Sequence, residues 1–139
     1  MSIRLEGLED ILDRLDGLST EQMVANMGKA CALVEASAKR NAPKGTGELR
    51  RSITSKVEER GGEVVGTVYT PLEYAPYVEY GTGLFAESGG RQDVPWHYQD
   101  DKGEWHTTSG QNPHPFMRPA LNQNREQIKR VLQEGLLDD

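Results

Sequence analysis

Residues 19–43 read STEQMVANMGKACALVEASAKRNAP, and the reading of that stretch decides the fold. Ser19, with Gln22 three positions later, has capping-box spacing: the hydroxyl can satisfy an open backbone N–H of a first helical turn. Met23, Met27, Cys31, Val34 and Ala38 then recur at helical intervals along one face. Pro43 has no N–H to donate and disfavours helical geometry in the residue before it, so the helix has ended there. The stripe predicts a long helix with one buried side. The paired methionines read as core packing rather than as an adaptable binding face.

Outward from that helix, the periodicity changes. Ile3 and Leu5 alternate with polar residues as in a short strand that Gly7 ends. Leu8, Ile11, Leu12 and Leu15 repeat at helical spacing opposite Glu6, Glu9, Asp10 and Asp13, and Gly17 closes this short helix. Downstream, Ile53 and Val57 alternate with polar residues, as does the run from Val64 to Tyr69. Arg60-Gly61-Gly62 lies between the two runs, which is a hairpin signal. Pro71 closes the second strand. Beyond Pro119, Leu121, Ile128, Val131 and Leu132 mark the inner stripe of a C-terminal helix ending near Gly135. The expected architecture is α+β in a single domain, residues 1–139. A small, mainly antiparallel sheet packs against the long helix and the C-terminal helix, with a β-hairpin arm inserted at 84–112.

Two aromatic, proline-set segments stand apart from this scaffold. Tyr74-Ala-Pro-Tyr-Val-Glu-Tyr-Gly-Thr-Gly83 is too short for an independent helix. In a helical turn Tyr74, Tyr77 and Tyr80 would share a face, with Glu79 the one charge among them. Glu79 is expected either to be solvated beside a tyrosine cluster that caps the core, or to pair with Arg118. In Pro113-His-Pro-Phe-Met-Arg-Pro-Ala-Leu121 the prolines fix φ and extend the residues before them, giving a stiff strap that delivers Phe116 and Met117 to one place. Arg118 opens a helix, where the dipole disfavours a cation, and so predicts a carboxylate partner.

Between these segments, Val94-Pro-Trp-His-Tyr98 and Glu104-Trp-His-Thr107 flank Asp100-Asp-Lys-Gly103, which is turn chemistry with glycine in the left-handed position. They predict an extended hairpin arm. An isolated hairpin is marginal in water, so the arm needs a surface to lie on, and a neighbouring subunit is the obvious one.

Composition narrows the function classes. The chain has 139 residues with 35% hydrophobic side chains, and its mean hydropathy of −0.69 predicts a thin core. A net charge of −6 argues against a free nucleic-acid binder. Even so, Lys39, Arg40, Lys44, Arg50, Arg51 and Lys56 cluster around one loop, either as a solvated face or as a rim toward DNA or an acidic partner. The lone Cys31 excludes an intramolecular disulfide and reads as a buried small hydrophobe. No apolar run approaches the ~20 residues of a membrane span. Acids among the first leucines are unlike a signal peptide, and a soluble protein made in a cytoplasm is expected.

Lys44-Gly-Thr-Gly47 lacks the ending of a phosphate-binding loop. No serine lies in a nucleophile elbow, and Cys31 lies mid-helix away from any base. His97 and His106 could face one another across the arm, with Asp100, Asp101 and Glu104 nearby, while His114 belongs to the strap. No catalytic, cofactor or metal residue is assigned, and no enzyme is expected.

The two aromatic segments, taken in order with Ala42-Pro-Lys-Gly-Thr-Gly-Glu-Leu49 and Arg51-Ser-Ile53, carry a resemblance. Together they look like the neck and tail-completion proteins of long-tailed phages, the minor tail-component family named after a lambdoid phage's tenth gene product. The resemblance runs from roughly Ile3 to Leu132 and leaves out Leu84 to Gln111. It implies a non-enzymatic virion protein at the head–tail junction that forms a homo-oligomeric ring, a hexamer being favoured. Head-closure or adaptor proteins and a tail-terminator or tail-tube protein would be its partners, with DNA passing through the lumen and no membrane involved. Tyr74, Tyr77, Glu79, Tyr80, Trp96, Trp105, Phe116, Met117 and Arg118 are the expected subunit contacts. Lys39, Arg40, Lys44, Arg50 and Arg51 are the candidate DNA or acidic-partner surface. A nucleic-acid-binding accessory protein using the basic loop 39–56 is the competing expectation.

Overall fold

The computed structural model describes residues 1–5, 18–45, 47–87, 94–100 and 102–136. The short helix expected between Leu8 and Leu15 lies outside them. The chain divides into two compact units, Met1–Pro71 with Phe116–Asp139, and Leu72–Pro115.

The first unit is built on strand β1 (Ser2–Leu5), helix α1 (Thr20–Asn41), a short helix α2 (Glu48–Ser52), strands β2 (Thr54–Arg60) and β3 (Glu63–Tyr69), and helices α4 (Met117–Gln123) and α5 (Arg125–Leu132). The three strands form an antiparallel sheet in the order β1-β3-β2. Arg60 pairs with Glu63 across Gly61-Gly62. Both glycines have positive φ, +56° and +89°, as a tight two-residue hairpin turn demands.

Helix α1 is the centre of this unit. Ser19 accepts the Gln22 N–H at 3.1 Å, so the expected cap forms. Met27, Cys31, Val34 and Ala38 are buried, and Met23 is partly covered. The same face also buries Asn26, Ala30 and Ser37. The helix packs across β2 and β3, while α4 and α5 pack against its other flank. At Gly66 in β3 the sheet and α1 approach closely. A Cβ there would lie 2.5 Å from Cys31 Sγ and 2.7 Å from Met27 Sδ, so only glycine lets the layers approach. Burial pushes the Cys31 thiol up to about 11, with Glu35 adding to it.

Asn26 ties the C-terminal end to α1. It is wholly buried, donates to the carbonyls of Leu132 (3.1 Å) and Glu134 (2.8 Å), and accepts from Gln22 Nε2 at 2.8 Å. A buried amide is tolerated there because its hydrogen-bonding capacity is met.

The C-terminal helix expected from the sequence is two helices. Asn124 ends α4 and leads α5, and its Nδ2 donates back to the Ala120 carbonyl at 2.6 Å. Such a side-chain bond competes with the helical ladder. Ile128 and Leu132 are buried as expected, whereas Leu121 and Val131 are half-buried. No helix among the described residues is long and apolar enough to cross a membrane.

Candidate docking surface

The second unit, Leu72–Pro115, carries the aromatic segment and the arm. Its first element is a helix that the sequence reading did not grant, α3 (Ala75–Tyr80), with Pro76 in its first turn. A 3₁₀ turn follows at Gly83–Phe85. Residues 109–114 run alongside and are held by backbone bonds. Thr82 and Gln111 exchange N–H to carbonyl bonds, Leu84 N–H donates to Ser109, and His114 N–H donates to Val78 at 2.7 Å. Added Cβ atoms at Gly83 and Gly110 would run into the opposing backbone at Ser109 and Thr82, and both glycines have positive φ. The base of the arm is thus clamped by main chain.

The arm itself is the expected antiparallel hairpin, β4 (Trp96–Gln99) paired with β5 (Trp105–Thr108). Gly103 takes the left-handed position at φ +82°. Register separates the two Trp-His pairs. Trp96, Tyr98, His106 and Thr108 share one face, and His97, Gln99, Trp105 and Thr107 share the other, since Tyr98 pairs with His106 and His97 with Thr107. Register therefore places His97 and His106, which could have faced one another, on opposite faces. His97 Nδ1 lies 2.7 Å from Thr107 Oγ1, while His106 stacks on Tyr98 and bonds to Asp100. The His106 hydrogen bond, then the Glu104 and Lys102 backbone N–H groups, hold the Asp100 carboxyl below its usual range.

Exposure sorts the candidate contact residues. Tyr77 is 59% and Trp105 70% exposed, with Tyr74 and Tyr80 also exposed and Trp96 half-buried. Leu84, Phe85 and Tyr98, which the sequence reading did not single out, join them. Among the described residues, every exposed large apolar side chain except Val24 belongs to this unit. Tyr77 is the most exposed of the three tyrosines, and Tyr74 and Tyr80 keep about two-fifths of their surface in solvent.

Three of the expected contacts are corrected. Phe116 and Met117 are wholly buried at the start of α4 and serve as core, which leaves them no surface to offer another chain. Glu79 is wholly buried rather than solvated. The turn of α3 that points Tyr77 and Tyr80 outward turns Glu79 the other way. Arg118 is half-buried, and neither it nor Glu79 lacks an interaction partner.

The basic loop is less available than its sequence suggests. Lys39 Nζ lies 3.6 Å from a Glu35 carboxylate oxygen. Arg50 is half-buried, with its Nε enclosed and without a hydrogen-bond partner. Arg51 is exposed, but its guanidinium lies against Gly47, and Arg40 and Lys44 are exposed. A different basic group sits on the sheet face turned away from α1. Arg4 and Lys56 both pair with Thr67, so all three share that face. With Arg60 and Tyr69 they border a cavity of about 300 Å³. Glu58 bridges to Lys56 at 2.9 Å and to Arg60. Strand alternation in residues 2–5 and 54–60 was the signal for this row.

The scaffold is α+β, and among the described residues the large exposed apolar side chains other than Val24 lie in the aromatic segment and the arm. A family model described as "Bacteriophage HK97-gp10, putative tail-component" matches residues 6–81, just over half of the chain. The chain belongs to this family of phage tail components. No curated protein and no solved structure matches it. The matched range takes in the long helix, the β2–β3 hairpin and α3 (Ala75–Tyr80); the arm and the strap lie beyond it.

Proposed function

We propose that this tail component is a ring subunit at the head–tail junction of a phage or prophage, joining and sealing the capsid connector to the tail tube. One observation carries the reading: Tyr74, Tyr77, Tyr80, Leu84, Phe85, Tyr98 and Trp105 are exposed together in one unit. Exposed apolar side chains grouped in this way mark protein-contact surface. Tyrosine and tryptophan suit such contacts, since each presents a large rigid apolar body with a polar tip. A closed ring uses heterologous contacts, in which one surface meets a different surface on the next copy. The α3 tyrosines and the two-faced arm are chemically distinct surfaces of the kind this requires. Family membership supports virion localisation.

The test is assembly of the full chain. Mass photometry and electron microscopy should show closed rings, alone or with a tail-tube partner. Replacing Gly90–Ser109 by a short linker should leave a folded subunit that assembles poorly. Rings formed normally by that deletion would remove the arm from the contact. The nucleic-acid reading would rest on the exposed Arg40, Lys44 and Arg51, since Lys39 has a carboxylate partner and Arg50 Nε is enclosed.

A further inference from the structure

The tip of the arm gathers Asp100, Glu104 and His106, each offering a ligand atom within 4.8 Å of the other two. The turn builds this arrangement. Asp100 N–H donates to the Glu104 carbonyl at 2.8 Å and closes the loop. Asp100 Oδ1 accepts from the Lys102 and Glu104 backbone N–H groups, each at 2.9 Å, which fixes the carboxylate. Its Oδ2 is then aimed at His106 Nε2, 2.7 Å away. Glu104 immediately precedes β5 and lies two residues from His106, so the alternation of extended chain carries both side chains to the same side. The His106 ring is braced by stacking on Tyr98, with centroids 5.2 Å apart.

We propose that Asp100, Glu104 and His106 form a divalent-cation site of the zinc class at the tip of the arm, with water completing its shell. Donors about 2.0–2.1 Å from a tetrahedral ion sit roughly 3.4 Å from one another. To reach that value Asp100 Oδ2 and His106 Nε2, now 2.7 Å apart and hydrogen-bonded, would separate, the ion replacing the shared proton, and the exposed Glu104 would close from within 4.8 Å. Two carboxylates balance the charge of a divalent ion. The imidazole selects zinc-like borderline ions over calcium or magnesium, which take oxygen alone. The backbone N–H groups on Asp100 Oδ1 act as its outer shell, orienting the ligand. His97 takes no part, because register places it on the opposite face. Coordination ties the turn to β5 and stiffens a two-stranded hairpin that is marginal alone. The site stands whether or not the chain forms a ring.

The experiment is a titration of the full chain with zinc chloride, read by calorimetry and by ¹⁵N NMR of the histidine side chains. One ion should bind, with the perturbation centred on His106 Nε2. His106→Ala and Glu104→Gln should each weaken binding by at least tenfold, since even outer-shell changes cost roughly 10- to 100-fold. Glu104→Gln keeps the Asp100–His106 hydrogen bond, so its loss of affinity cannot be assigned to an unravelled hairpin. His97→Ala should bind as the unaltered chain does. No saturable binding, unchanged affinity in Glu104→Gln or His106→Ala, or equal loss in His97→Ala would each overturn the site.

Discussion

The two units of this chain treat their large side chains in opposite ways. Around α1, the unit formed by Met1–Pro71 and Phe116–Asp139 buries Phe116, Met117, Ile53, Ile128 and Val34 almost completely. Leu72–Pro115 holds itself by backbone clamps, and it leaves Tyr77, Leu84, Phe85 and Trp105 in solvent. A segment that spends its aromatics on the outside gains little folding stability from them. On the proposed function, the difference means that stability and contact are encoded in separate units.

That contrast can be broken by mutation, and the largest effect belongs to the core. Phe116→Ala should cost about 3–5 kcal/mol in a denaturant titration, through lost burial and the cavity left behind. A cost below about 1 kcal/mol would show that Phe116 is not the anchor its complete burial indicates. Gly66→Ala comes next, at roughly 1–3 kcal/mol, because the new methyl meets Cys31 Sγ and Met27 Sδ. Thiol labelling should follow the same order: Cys31 is closed to reagents in the folded chain and opens earlier in denaturant in this variant.

Asn26→Ala should cost about 1–3 kcal/mol by leaving the Leu132 carbonyl without its buried donor. On the other side of the comparison, Tyr77→Ala and Trp105→Ala should shift folding stability by less than about 0.5 kcal/mol, as surface changes do. Both should reduce assembly. If they destabilise the fold as much as Asn26→Ala does, the proposed separation of contact from stability is wrong.

The smallest expected effect is a pH dependence in the sheet. Lys56 and Arg60 hold the Glu58 carboxyl below its usual range. A group lowered in the folded state contributes above its unfolded value and loses that contribution as pH falls through its folded one. Stability should therefore slip on acidification below the ordinary carboxylate range, and Glu58→Gln should flatten that limb of the acid profile. The pairs are exposed, so the slope is shallow.

Much of the scaffold was legible because it rests on local chemistry. Ser19 with Gln22, the stripe from Met27 to Ala38, and Gly61-Gly62 each act over a few residues, and each formed as expected. The same holds for the arm, whose turn chemistry at Asp100–Gly103 was readable. Three features escaped. The helix Glu48–Ser52 has only one buried side chain, Leu49, and hence no periodicity to read. The break at Asn124 coincides with a side-chain bond to the Ala120 carbonyl that no spacing pattern announces. The Tyr74–Tyr80 segment became a helix because residues 109–114 clamp its end, which is a contact distant in sequence.

The candidate surface divides along the same line. That the Tyr74–Tyr80 and Trp96–Trp105 segments are aromatic and proline- or glycine-set was plain from the residues, and so was their order in the chain. Which aromatics face solvent was not, because solvent exposure depends on what packs behind each one. Phe116 and Met117 sit in a stretch as aromatic and proline-rich as Tyr74–Tyr80, yet they fill the core.

Local sequence by itself determined the long helix, the glycine-turned hairpins and the absence of the usual nucleophile and phosphate-loop patterns. Those properties need only backbone propensity and short-range spacing. Tertiary structure alone decided that Gly66 must have no side chain, that Glu79 lies inside, and that His106 meets Asp100 and Glu104 rather than His97. The first depends on layer spacing and the last on strand register, where a shift of one residue turns every side chain to the opposite face; the second depends on what packs against one side of α3.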